Sequence, residues 1–227
     1  MQEHTAEQSK PILGYWNIRG LAQPMRYMFV HLGVDFEDKL YNVGPAPDFD
    51  KSEWLDEKFN LGLDFPNLPY MIDGDVKFTE SDAIMRYIAS KWGKHLLGSN
   101  PEETGRIEML ANHVHNLKMK STMPCYMSDD KSAIVEECRP LLKQVADSLG
   151  ANMFLSHGGV TWLDFKFFEL LDLLHFLSDG VFYQEMPHLW DYYVRMQSLD
   201  NISAYMADPS RCMYAPFNGI MAKINNI

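Results

Sequence analysis

The chain has 227 residues, 46% of them hydrophobic, which is enough apolar material for two modest domains with sizeable cores and excludes an intrinsically disordered chain. Its formal net charge of -11 excludes a nucleic-acid partner, which lysines and arginines would have to hold by neutralising phosphates. No apolar run reaches membrane-spanning length, so no membrane partner is expected either.

In chain order, residues 1–9 read as a polar extension without the apolar stretch of a signal peptide. Ile12 to Tyr15 forms a short apolar strand. Leu21, Met25, Met28, Phe29 and Leu32 follow at helical spacing, with Gly33 as the C-cap. Val34, Phe36, Asp38 and Leu40 alternate as a second strand does, which makes a βαβ beginning. Residues 42–65 form a long segment with at most short helical pieces, and so long a loop in a compact domain is usually functional. Pro69 to Ile72 and Val76 to Phe78 pair around the Asp73-Gly74 turn, and Ser81 caps a helix carrying Ile84, Tyr87 and Ile88.

This order predicts an α/β, thioredoxin-like domain over residues 10–93 and a linker over 94–99. An all-helical bundle over 100–227 follows, opened by Asn100 as N-cap and Pro101 at the first helical position. Helices are predicted to about Met127, from Ser132 to Leu149, from Thr161 to Ser178, and after Pro187. Thr161 and Asp164 form a capping-box pair, and Val160 and Phe165 a hydrophobic staple. Pro124 and Pro140 fall inside helical stretches and are predicted to bend or interrupt them. The cysteines Cys125, Cys138 and Cys212 lack CxxC or zinc spacing and fit a reducing, cytoplasmic setting. His113 and His115, two apart on a helix, face different ways, and no metal site is predicted.

The chemistry concentrates in three segments. Proline after Leu68 is readily held cis, which would turn the Leu68 backbone outward to pair with an extended peptide as another strand would. Ser81, at a strand-to-helix turn, offers a hydroxyl and helix amides to a carboxylate. Tyr15 ends the first strand beside both and precedes a glycine-containing turn. A tyrosine that merely closes a buried strand, with its hydroxyl on a carbonyl, is the plain alternative.

With GYWNIRGLAQPMR from Gly14, LGLDFPNLPY from Leu61 and ESDAIMRY from Glu80, the chain resembles the cytosolic glutathione transferases, and specifically the mu class, from about Lys10 to the C-terminus. The resemblance implies an enzyme that conjugates the glutathione thiolate to small apolar electrophiles, with glutathione as co-substrate and no further cofactor. Tyr15 would hydrogen-bond the glutathione sulfur. Trp16 and Leu21 would contact the ligand's inner side, while Lys51, Trp54 and Lys58 would hold its glycyl carboxylate. Asn67, Leu68 and Pro69 would meet its cysteinyl part, and Glu80 and Ser81 its γ-glutamyl end. Ile18, Thr122 and Tyr126 would wall the electrophile site, and Phe65 and Arg86 would sit at a homodimer interface.

Four positions depart from the mu pattern. Glu80 replaces glutamine, Lys51 replaces arginine, and Thr122 replaces an apolar residue. Asn116 replaces an aspartate that reaches the neighbouring subunit's ligand, so Glu80 is expected to take over the ligand's ammonium. Two other readings remain: a carrier of apolar ligands on the same scaffold, and a thiol-disulfide oxidoreductase. The latter lacks a cysteine at the strand-to-helix turn.

Overall fold

A computed structural model describes residues 9–211 and 215–226. Of the features named above, the first eight residues of the extension and Cys212 lie outside the described residues. The first half builds a four-stranded sheet from β1 (Ile12–Trp16), β2 (Glu37–Tyr41), β3 (Tyr70–Asp73) and β4 (Val76–Thr79), in the spatial order β2-β1-β3-β4. β2 lies parallel to β1 and needs a crossover, which α1 (Gln23–His31) supplies. β3 is antiparallel to β1, and β4 returns antiparallel to β3. α2 (Ser52–Leu55) interrupts the long excursion, and α3 (Ser81–Trp92) closes the thioredoxin-like half.

α1 ends as the sequence predicts, on Gly33 at φ +64°. The Gly33 amide donates to Val30 O at 3.1 Å and the Val34 amide to Phe29 O at 2.9 Å, the paired bonds of a Schellman turn. Those bonds also explain why β2 starts three residues later than predicted, since the Val34 amide is already committed to the helix end. The predicted Ser81 cap needs correction. Ser81 is the first residue of α3 and Glu80 occupies the cap position, at φ +68° and without a capping side-chain bond.

The second half is helical: α4 (Pro101–Thr122), α5 (Pro124–Met127), α6 (Lys131–Leu149), α7 (Trp162–Leu177), α8 (Val181–Glu185), α9 (Pro187–Gln197) and α10 (Ile202–Ala207). Asn100 Oδ1 accepts the Glu103 amide at 2.9 Å, the cap read from the sequence. Pro124 separates α4 from α5, whereas Pro140 falls inside α6 without a break. Pro140 and Glu136, four residues before it, are both exposed, so water can serve the carbonyl that the missing N–H leaves open.

α7 is buried nearly all round and forms the centre of the bundle. Its start is fixed by Asp164, whose carboxylate accepts from the Thr161 amide at 2.7 Å, the Leu155 amide at 2.9 Å and the Tyr192 hydroxyl at 3.0 Å. α7 also joins the halves. Tyr27 of α1 packs on Phe168 with ring centres 5.1 Å apart, and Lys166 reaches Asp82 at 2.7 Å. Among the described residues no helix is long and apolar enough to cross a membrane.

Candidate functional site

The sheet register gathers three of the predicted residues at one end of the sheet. Tyr70 lies opposite both Gly14 and Thr79, so the chain just beyond these pairings brings Tyr15, Leu68 and Ser81 to the same end of β1, β3 and β4. The Leu68–Pro69 peptide is cis, as the sequence suggests, and so is Ala46–Pro47, which it did not signal. Asn67 Oδ1 accepts the Leu68 amide at 2.9 Å. Trp54 is buried against the Tyr70 ring, stacked at 5.9 Å, and anchors the excursion to the sheet.

Tyr15 is 6% exposed, and its oxygen accepts the Leu21 amide at 3.1 Å. Among the described residues no carbonyl accepts from this hydroxyl, as the plain alternative would require. With its oxygen already accepting, the O–H is left to donate. Burial pushes the phenol up to about 12, against the smaller lowering effect of the Leu21 amide, so the group is a protonated donor at neutral pH. Gly20, at φ +47°, lets the turn close. A Cβ there would stand 2.6 Å from the Tyr15 ring and oxygen.

Two cavities share Tyr15, Ile18 and Tyr126 in their walls. One, of about 360 Å³, is lined by Tyr15, Trp16, Ile18, Lys51 and Tyr126 among the predicted residues, together with Asn17 and Tyr41. The other, of about 380 Å³, is lined by Tyr15, Ile18, Leu21, Thr122 and Tyr126, with Lys118, Met119, Met123 and Glu169. Trp54, Lys58, Asn67, Leu68, Pro69, Glu80 and Ser81 line neither. Lys58 lies over the exposed Phe59 ring at 5.2 Å. A larger hollow of about 730 Å³ between β2 and α10 contains none of the predicted residues.

Sequence reading missed the C-terminal segment and the charged helix faces behind it. The Arg19 amide donates to Pro216 O at 2.8 Å and the Gly20 amide to Phe217 O at 3.1 Å, while the Gly219 amide donates to the Tyr126 hydroxyl at 2.8 Å. Residues 215–226 thus strap the Tyr15 turn to α5. The segment lacks periodicity, so nothing in its sequence announces the strap. Arg19 is buried against Glu169 and Asp172, each at 2.5 Å, and these opposite charges keep its guanidinium ionised despite burial. Lys118, 7% exposed, donates to Gly20 O at 2.9 Å. Burial pushes this amine down to about 8, with Glu169 opposing.

Phe65 is 74% exposed in its loop. Arg86 is held within the chain by a bidentate pair with Glu108 and lies over the Trp162 ring at 4.5 Å. Asn116 is exposed on α4. The two histidines diverge as predicted, His113 bonding Leu141 O at 3.2 Å and His115 facing solvent.

Comparison with known proteins agrees with this arrangement. Residues 11–90 match the glutathione S-transferase N-terminal domain, and residues 115–209 the glutathione S-transferase C-terminal domain. The chain is 43% identical over 204 residues to a glutathione S-transferase of Dermatophagoides pteronyssinus, covering 87% of this chain and 90% of that protein. It is 40% identical over 218 residues to glutathione S-transferase Mu 1 of Rattus norvegicus, covering 95% and 98%. The solved glutathione S-transferase Blo t 8 superposes with a TM-score of 0.84 at 27% identity, covering 94% of this chain and 99% of that one. The chain therefore belongs to the glutathione S-transferase family, in its mu class.

Proposed function

We propose that this transferase activates glutathione through Tyr15 and joins its sulfur to apolar electrophiles. The observation that carries the reading is the Leu21 amide on the Tyr15 oxygen at 3.1 Å, which leaves the phenol proton free to donate, on a residue that lines both cavities. A free thiol has a pKa of about 8.5 and is only a few per cent thiolate at neutral pH. Lowering that pKa by about two units takes about 2.7 kcal/mol. One well-aimed donor to an anion, supported by backbone dipoles, supplies an effect of that size.

In this reading Trp16 and Leu21 flank the tripeptide, and Lys51, Trp54 and Lys58 hold its glycyl end. Asn67, Leu68 and Pro69 pair with its centre, and Glu80 and Ser81 bind its γ-glutamyl end. Ile18, Thr122 and Tyr126 wall the electrophile. The shared sheet end supports the placing of Leu68 and Ser81 beside Tyr15, the cavity that Trp16 and Lys51 line with Tyr15 supports theirs, and the α4–α5 wall supports Thr122 and Tyr126. A homodimer built around the exposed Phe65 completes the assembly.

Steady-state conjugation of a chromogenic aryl halide tests the reading. Tyr15→Phe should lose most of its kcat and keep its glutathione affinity, since the hydroxyl acts on the thiolate. Equal rates for the two proteins contradict the role. Tight binding of apolar dyes by a wild type that turns over nothing would make the protein a carrier instead.

A further inference from the structure

The residues assigned above to the glycyl end of glutathione lie on one short hydrogen-bonded piece of chain. Lys51 O accepts the Trp54 amide at 3.1 Å and the Leu55 amide at 3.0 Å, and Trp54 O accepts the Lys58 amide at 2.9 Å and the Glu57 amide at 3.2 Å. Lys51, Trp54 and Lys58 are thereby fixed to one another, and whatever holds this piece to the sheet sets where all three stand. The buried Trp54 ring is a pivot, stacked on Tyr70 at 5.9 Å and edge-on to Tyr41 at 5.4 Å. On one side of the pivot the Asn42 amide, just past the end of β2, donates to Glu53 at 2.6 Å. On the other side Glu57 Oε2 accepts Lys39 Nζ at 2.5 Å and the Tyr41 hydroxyl at 2.9 Å.

The Glu57 contact reaches far into the first half. An ionised carboxylate only accepts, so the Tyr41 proton points at Glu57, and the Tyr70 hydroxyl is left to donate to the Tyr41 oxygen at 2.8 Å. Lys39 and Tyr41 hold the Glu57 carboxyl below its ordinary value, which keeps it ionised at neutral pH. The Tyr70 ring passes close over β1 at Gly14, where a Cβ would stand 2.2 Å from it. Tyr70 directly follows Leu68 and Pro69. A line of hydrogen bonds, charge-assisted at Glu57, thus runs from the strand behind the cysteinyl contacts to the piece that carries the glycyl contacts.

We propose that Glu57 is the positioning residue of the glycyl-binding segment, clamping residues 51–58 to β2 so that Lys51 and Lys58 meet the glycyl carboxylate already in place. The proposal rests on the transferase reading above. Glu57 lines neither cavity beside Tyr15, so it acts through its neighbours and not on the ligand. Lys51 lines the cavity of about 360 Å³ and Lys58 lies over the Phe59 ring, and among the described residues neither lysine is ion-paired. Both charges are open to an anion, and a backbone held in advance lowers the ordering cost of using them.

The test is calorimetric binding of glutathione and of γ-glutamylcysteine, which lacks the glycyl residue, to the full-length protein. Glu57→Ala should weaken glutathione binding by about 5- to 20-fold, the effect of leaving two long side chains for the ligand to order, and should change γ-glutamylcysteine binding by less than about twofold. Glu57→Gln keeps an oxygen that Lys39 and Tyr41 can reach and should recover most of the lost affinity. Both variants remove the same charge, so the difference between them reads the clamp and not the freed Lys39 ammonium. Unchanged glutathione affinity in Glu57→Ala, equal weakening of both ligands, or a loss that Glu57→Gln does not repair overturns the positioning role. A wild type that binds the two ligands equally removes Lys51, Trp54 and Lys58 from the glycyl end, and Glu57 with them. A wild type that binds neither overturns the glutathione reading itself, and the clamp's role in it.

Discussion

At the scale of single residues, the proposed site depends on one hydroxyl and on the glycine that makes room for it. Gly20 has a positive φ, and its missing Cβ is the space the Tyr15 ring occupies. Gly20→Ala should therefore cost about 1–3 kcal/mol in chemical denaturation and lower kcat by at least about tenfold, because the Tyr15 oxygen must move. Unaltered stability and kcat would mean that the turn is more tolerant than its geometry implies. Glu80 raises a second residue-scale question. It stands exposed at the start of α3, and Asn116 cannot form the ion pair expected of an aspartate. If Glu80 holds the γ-glutamyl ammonium, Glu80→Gln should weaken glutathione binding by about 3- to 10-fold by calorimetry, as losing one exposed charge partner does. Unchanged affinity would remove it from that role. That Tyr15, Leu68 and Ser81 come to one end of the sheet was readable because short local patterns, a strand end, an X-Pro step and a strand-to-helix turn, mark them, although Ser81 starts α3 rather than capping it. The burial of Lys118 was not, because a lysine in a polar helix carries no sign that tertiary packing will bury it.

At the scale of elements, two acidic side chains tie helix starts to distant chain. Asp164 accepts from three elements at the head of α7, so Asp164→Ala removes a cap and orphans buried donors. Its cost should be about 2–4 kcal/mol in urea unfolding, and a cost below about 0.5 kcal/mol would show that water replaces the carboxylate. Glu103, near the start of α4, accepts from the Ser156 hydroxyl, the Ser99 hydroxyl and amide, and the Gly158 amide at 3.0 Å. Those hydrogen bonds hold its carboxyl down at about 2, well below the ordinary 4.5. A depressed folded value contributes stability that is complete above about 4.5 and is lost as pH falls toward 2. Melting temperature should decline over that window, and Glu103→Gln should flatten the decline. The starts of α4 and α7 were legible because their caps are spelled out within four residues. The late start of β2 was not, since alternation extends to Val34 and only the hydrogen bonds of the α1 turn withdraw it from the sheet.

At the scale of the whole molecule, the halves share one cavity, the proposed cleft, that neither contains alone. The first half contributes Tyr15 and its turn, the second contributes the α4–α5 wall, and the 215–226 strap binds both. The order of elements along the chain was enough to infer a thioredoxin-like half followed by a helical half. The strap was illegible because its role lies in backbone bonds to distant residues rather than in side-chain pattern. Phe65, exposed in its loop, is the remaining whole-molecule prediction. Phe65→Ser should shift the protein from dimer toward monomer in sedimentation equilibrium, as removal of an interface anchor does. An unshifted distribution would place the interface elsewhere.

Titration of bound glutathione by its ultraviolet thiolate absorbance, in wild type and in Tyr15→Phe, bears most directly on the central claim. The wild-type complex should ionise about two pH units below the free thiol's 8.5, and the Tyr15→Phe complex near the free value with a similar Kd. The same ionisation midpoint in both complexes would contradict the assignment of thiolate stabilisation to Tyr15.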